Sequence, residues 1–294
     1  MHLSKHLKYI FIPPLVLAVL SLGVIAAWGL KPGIELAGGS LLQVTYPQGR
    51  PGVEVVRAAT AKLNLGEVRV QPSGTNGYIL RQRDLTTDEK AGLESSLSAL
   101  GTMQEDQFTS IGPSIGAELA QKAWVAIGLV VLCIVAFIAF AFRKVSRPVA
   151  AWKFGLVAVG TLLFDVLVPV GMFALLGHLR GAEVDSLFIV ALLTILGISI
   201  NDKIVVFDRI RENLLMLKNE SFGDTVDRSV TQTLSRSINT SMTVVIMLLA
   251  LYFLGPQSTQ AFALTLTVGM IVGTYSSIFL AAPLLVAWQK WQSK

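Results

Sequence analysis

Apolar residues in this chain gather in six long runs, residues 9–30, 124–142, 154–176, 187–207, 238–254 and 262–288. Each comes near the roughly 20 residues that a helix needs to cross a hydrocarbon core of about 30 Å. The pattern predicts an α-helical polytopic membrane protein with six transmembrane helices. The first run follows Lys5 and Lys8 and ends near Ala26 and Ala27, as a secretory leader would. Its apolar stretch exceeds the about 7 to 15 residues of a leader core, so it is expected to remain as an anchor.

The polar stretch 31–121 between the first two runs has its own periodicity. Residues 41–46 alternate as a strand does, and 53–63 have helical spacing. Segments 67–70 and 78–82 read as two strands around the turn cluster PSGTNG. Thr86, with Glu89 three residues on, forms a capping box opening a helix to about residue 100, and 103–111 offers a last strand. The order βαββαβ predicts a ferredoxin-like α+β domain. The expected domains are therefore 1–30 with the N-terminus and first helix, 31–121 as an external domain, and 122–294 with helices two to six and a cytoplasmic loop at 208–236. Within that loop Val226, Val230 and Leu234 have the spacing of an amphipathic helix lying near the membrane surface. The alternative is a solvated connector.

Composition supports the membrane assignment: 53% of residues are hydrophobic and 15% charged, where a soluble domain has about 25% charged. The net charge of +5 reads as orientation, not as a nucleic-acid surface. Arg143, Lys144, Arg147 and Lys153 crowd one short loop, while the loop 255–260 carries no charge. The positive-inside rule puts the first loop in the cytoplasm. Lys5 and Lys8, the segment from Arg209 to Arg228, and Lys290 with Lys294 then fall on the same side, so both termini are expected in the cytoplasm and the polar domain outside an inner membrane. Cys133 is the only cysteine, which excludes an intrachain disulfide or a cysteine-based metal site. His2, His6 and His178 lie outside the predicted spans. The GGS at 38–40 has neither the spacing nor the lysine of a phosphate-binding loop, so ATP hydrolysis is not expected.

Candidate chemistry lies where charge interrupts the apolar runs. A carboxylate in a span costs about 2.5 to 3.5 kcal/mol on insertion scales and normally faces a bundle interior or a wet cavity. Asp165 falls near the middle of the third span, and Asp202 in the cytoplasmic half of the fourth. Arg236 opens the fifth span at a depth that permits it to meet Asp202. Asn239, Thr240 and Thr243 continue from it at spacings of three, four and seven, a polar stripe of the kind a hydrated path requires. A proton relay is one reading, because the protonation of a buried carboxylate depends on its distance to a guanidinium. The other is a structural ion pair, with Asp165 satisfied by helix contacts and Arg236 reaching to the interface. Lys203 is expected to snorkel or to balance Asp202. Gly269 and Gly273, four apart, are expected to let helices pack closely.

Four motifs together resemble the SecF branch of the SecD/SecF family of protein export, in the resistance-nodulation-division superfamily. They are SINDKIVVFDRIREN at 199–213, IGPSIGAEL at 111–119, GIELAGGSLL at 33–42 and RSINTSMT at 236–243. The resemblance covers essentially the whole chain. It implies a half-transporter paired with SecD, working at the SecYEG translocon and beside a YidC-type insertase. Such a complex helps to draw unfolded preproteins outward, with the proton gradient as energy source and no cofactor. It implies that the proton pathway runs through Asp202 and Arg236, with Asp165 as a further acid. Ile198 stands where a tyrosine is usual, Lys203 where a threonine is expected, and Glu35 and Leu36 where the family tends to Asp-Phe. Other readings are a half-size proton-driven exporter of hydrophobic small molecules or lipids, and a passive translocon or insertase scaffold.

Overall fold

The computed structural model describes residues 7–141, 151–216 and 220–292. The basic residues Arg143, Lys144, Arg147, Lys5 and Lys294, with His2, His6 and the side chain of Lys8, lie outside them. Six helices are long and apolar enough to cross a membrane: Tyr9–Trp28, Pro113–Ile138, Trp152–Arg180, Ser186–Met216, Phe222–Leu254 and Ser258–Gln292. The chain divides into two compact units, one within Met1–Lys31, Ala126–Ala182 and Leu187–Lys294, the other Pro32–Val125 with Glu183–Ser186.

In the second unit α2 (Ile34–Ala37) precedes β1 (Gly39–Thr45), α3 (Val53–Ala61), β2 (Arg69–Ser73), β3 (Gly77–Gln82), α4 (Thr87–Ser98) and β4 (Gln104–Ile111). The strands form one antiparallel sheet in the order β2-β3-β1-β4. Alternation puts Leu42, Val44, Tyr78 and Leu80 on one face, where Val56 of α3 and Leu93 and Leu97 of α4 bury them. The capping box at α4 is present: Thr86 Oγ1 accepts from the Glu89 amide at 3.3 Å and Glu89 Oε2 accepts from the Thr86 amide at 2.9 Å. Two of the glycine-bearing motifs lie against each other. A Cβ on Gly38, whose φ is +80°, would stand 2.6 Å from Pro113 Cα, and one on Gly116 would stand 2.5 Å from the Gly38 nitrogen. Neither position has room for a side chain. Glu35, one of the departures from the family pattern, accepts a hydrogen bond from the Ser186 amide at 2.8 Å.

The first unit holds α1 (Leu7–Trp28), the greater part of α5 (Pro113–Ala141) and of α7 (Ser186–Met216), α6 (Ala151–Arg180), α8 (Phe222–Leu254), α9 (Gln257–Ser276), a π-helical turn Ser277–Ala281 and α10 (Ala282–Gln292). Its core joins Phe154, Phe207, Ile210, Val226, Val230, Leu285 and Val286. The glycine expectation holds: a Cβ on Gly269 would meet Ile195 at 2.3 Å, and one on Gly273 would stand 3.0 Å from Ser199 Oγ. His178 sits in the last turn of α6 and stacks on Trp28 with centroids 4.6 Å apart.

The segment 208–236 is neither a surface-lying helix nor a solvated connector over its described residues. Helix α7 continues through Met216, and α8 starts at Phe222 and runs 33 residues without interruption. Val226 and Val230 are buried in the bundle core instead of meeting lipid headgroups. Asn213 adds polar ties, donating to Ser229 Oγ and Gln232 Oε1, each at 2.8 Å.

Candidate functional site

Of the charged residues that interrupt the apolar runs, Lys203 and Asp202 lie in the middle of α7 facing two sides, and Asp165 of α6 meets the first of them. Lys203 is fully buried and donates to Asp165 Oδ2 on α6, to Ser199 Oγ one turn back at 2.7 Å, and to Ser276 Oγ on α9 at 3.1 Å. Its three ammonium protons thus have three acceptors. Asp165 is likewise without solvent exposure, and its Oδ2 also accepts from Ser199. Its second oxygen, Oδ1, is buried without a partner among the described residues. The glycines of α9 make this approach possible, since Gly273 brings that helix against Ser199 itself. The π-helical turn begins directly after Ser276, and such turns are frequent at functional sites.

Asp202 looks another way. Its Oδ1 accepts from Ser237 Oγ on α8 at 2.7 Å, and its Oδ2 is buried with no partner among the described residues. It lines a small cavity of about 30 Å³ together with Asn201, Thr240, Ser241, Gly273 and Thr274. Ile195, Ile198 and Met270 make the lining apolar in greater part, and the space has room for a water beside its polar groups.

Two expectations are corrected here. Lys203 does not snorkel: its ammonium is bonded to Asp165, and it acts on Asp202 through its field alone, without a hydrogen bond. Consecutive residues of a helix point about 100° apart, so Lys203 follows Ser199 onto one face while Asp202 turns towards α8. The polar stripe that meets Asp202 is different in part: of the predicted residues Thr240 lines its cavity. Ser237 and Ser241, four apart, face the bundle, and Ser241 shares a hydrogen bond with Thr274. Arg236, Asn239 and Thr243 are exposed. Arg236 lines a cleft of about 390 Å³ with Asp208, Arg209, Glu212 and Gln232, and it forms no ion pair among the described residues. The structure therefore brings Asp202 beside α8 without a guanidinium opposite it. Among the described residues no group of three or more His, Cys, Asp or Glu is placed to hold a metal ion.

Reasoning from sequence missed Lys203 as a member of the site. The signal was available in the spacing of Ser199 and Lys203, a hydroxyl one turn from a cation in the middle of an apolar helix.

A family model described as "Protein export membrane protein SecD/SecF, C-terminal" matches residues 93–291. The chain is 46% identical to the protein translocase subunit SecF of Thermobaculum terrenum, over 89% of this chain and 86% of that one. With the SecF subunit of Anaerolinea thermophila identity is 38%, over 96% and 92%. The SecDF subunit of Thermus thermophilus is 34% identical over 96% of this chain, which spans only 38% of it. A crystal structure of that organism's SecDF, described as a translocon-associated membrane protein, superposes with a TM-score of 0.87 at 32% identity, covering 99% of this chain and 39% of the other. A second SecDF structure, in a super-membrane-facing form, gives a TM-score of 0.72.

Proposed function

Because this chain belongs to the SecD/SecF family of protein-export membrane proteins, we propose that it is a SecF-type accessory subunit of Sec translocation that uses the proton gradient. The fused relative, of which this chain matches little more than a third, supports a SecD-type partner supplying the remaining helices. We read the βαββαβ unit as a ferredoxin-like domain outside the membrane, with both chain termini in the cytoplasm. The SecYEG translocon and a YidC-type insertase are its proposed neighbours. Its proposed substrate is an unfolded preprotein, whose backbone and apolar side chains a sheet edge accepts with little sequence preference.

The observation that carries the reading is the environment of Asp202. One oxygen is held by a hydroxyl, the other is buried without a hydrogen bond among the described residues, and a small cavity adjoins it. A carboxylate so placed is costly as an ion and cheap as an acid. Protonation therefore has a conformational consequence. Arg236 immediately precedes Ser237 on α8, so a roll or shift of that helix exchanges a hydroxyl for a guanidinium opposite Asp202. The acid gives up its proton when the cation arrives. Asp165 is a further acid of the same pathway. One elementary charge crossing the membrane field is worth about 2.3 kcal/mol per 100 mV, enough for a few protons to drive a rearrangement of the bundle.

The test is Asp202→Asn in proteoliposomes holding the translocon and the SecD-type partner. Gradient-dependent export is expected to vanish, with co-purification of the partner unchanged. Full gradient-driven export by that variant excludes the relay and leaves a scaffold.

A further inference from the structure

Two acids lie in one bundle, and the relay reading, on which this step rests, needs only one of them to exchange a proton. Their surroundings are unequal. Asp165 has a cation of its own: Lys203 is fully buried against it, and the ammonium is saturated by Asp165, Ser199 and Ser276. Nothing remains on that ammonium for a second carboxylate. Asp202 has no cation bonded to it: it has the Ser237 hydroxyl, the Ser277 hydroxyl of the π-helical turn nearby, an oxygen buried without a hydrogen bond among the described residues, and the cavity.

The titratable groups facing this region can be named helix by helix among the described residues. Helix α6 brings Asp165, and α7 brings Lys203 and Asp202. Helix α8 turns Ser237 and Ser241 inward, and its Arg236 lies in the exposed cleft. Helix α9 brings Thr274 and Ser276, with Tyr275 stacked on Phe279 at 5.2 Å between centroids. Two carboxylates and one ammonium leave a single negative charge uncancelled. A buried carboxylate keeps its charge where a cation bonds it directly, as Lys203 bonds Asp165, whereas a buried carboxylate without such a bond is retained most cheaply with a proton.

We propose that Lys203 is a positioning residue that holds Asp165 as a permanent anion and so confines proton exchange to Asp202. The lysine then makes the site a one-proton device: without it the bundle would contain two acids competing for the same role. Asp165 remains part of the pathway as the counter-charge of Lys203, and its unpartnered Oδ1 does not alter the charge balance of the pair.

The experiment is infrared difference spectroscopy over a pH titration, on the full chain reconstituted with its SecD-type partner and carrying isotope-labelled aspartate. The carbonyl stretch of buried protonated carboxyl groups is read. One such band is expected in the parent protein, and it should be missing in Asp202→Asn. Lys203→Met should add a second band of about one further carboxyl group, and Lys203→Met with Asp165→Asn should lose that second band alone. A parental band that survives Asp202→Asn overturns the proposal, and this comparison leaves the Lys203 pair untouched, so it stands even if the other variants fail to fold. Absence of the second band in folded Lys203→Met overturns it as well. A second band that persists in the folded double variant overturns it too, since the added proton would then not sit on Asp165. Export that persists in Asp202→Asn while the band is lost removes the relay reading and leaves the assignment of the acid standing.

Discussion

Asp202 and Lys203 are adjacent, and a helix sends them to different partners. The ammonium of Lys203 is inaccessible to water and bound to Asp165, so removing either partner strands the other charge. Breaking such a buried pair costs about 3 to 5 kcal/mol, whereas replacing both members by neutral groups of similar size is often nearly neutral. Lys203→Met is therefore expected to lower stability by about that amount, and Lys203→Met combined with Asp165→Asn to recover most of it. Thermal unfolding of the purified chain in detergent measures both. Equal losses in the single and double variants would show that the pair contributes packing alone. Asp165 and Asp202 were legible in the sequence because each interrupts an apolar run, where an acid is expensive. The partner of Lys203 was not, because it sits 38 residues away on another helix, and nearness in sequence suggested Asp202 instead. The same offset separates Arg236, directed into a cleft, from Ser237, directed at Asp202.

At the scale of elements, α4 was the most completely legible. Thr86 and Glu89 define its start in the sequence, and both hydrogen bonds of the capping box are formed. Thr86→Ala is expected to cost about 1 kcal/mol, read as faster amide hydrogen exchange across α4. Glu89 is also bound by Arg83, whose guanidinium, ahead of the Thr86 amide, takes the Glu89 carboxyl from 4.5 down to about 2. A depressed folded value means that its stabilisation is complete above the ordinary carboxylate range and fades as pH falls from there towards about 2. Protection of the α4 amides relative to their intrinsic exchange rate at each pH should fall over that window, and Glu89→Gln should remove that fall. An unchanged acid profile in Glu89→Gln would detach the effect from this side chain. Helix ends in the membrane unit were less legible. Hydropathy marks where lipid begins, not where a helix stops, so 238–254 was visible while α8 actually begins at Phe222. Its first half packs on α7 through Val226 and Val230 and is polar elsewhere, which resembles a loop when only hydropathy is counted.

For the whole molecule the open quantity is sidedness, and geometry and charge can be combined to argue it. Lys153 at the start of α6 donates to Gln292 at the end of α10, and Trp152 meets Trp288 edge-on with centroids 5.4 Å apart. Those helix ends therefore share one end of the bundle. Lys31 bonds the Gly177 carbonyl at 3.1 Å, which puts the far ends of α1 and α6 together at the opposite one. Basic residues crowd near the first end in sequence, from Arg143 to Lys153 and at Lys290, and the positive-inside rule predicts that this end faces the cytoplasm. Tryptophans at that level fit the aromatic belt of a membrane interface. The prediction uses a chain whose single cysteine has been removed by Cys133→Ala, with a new cysteine placed either by Thr75→Cys, at the exposed β2–β3 turn, or by Glu220→Cys, exposed just before α8. A maleimide that cannot cross membranes should label the first in intact spheroplasts and the second only after permeabilisation. Labelling of the second alone in intact cells would invert the molecule and place the βαββαβ unit in the cytoplasm. A preprotein emerging outside could then never reach it.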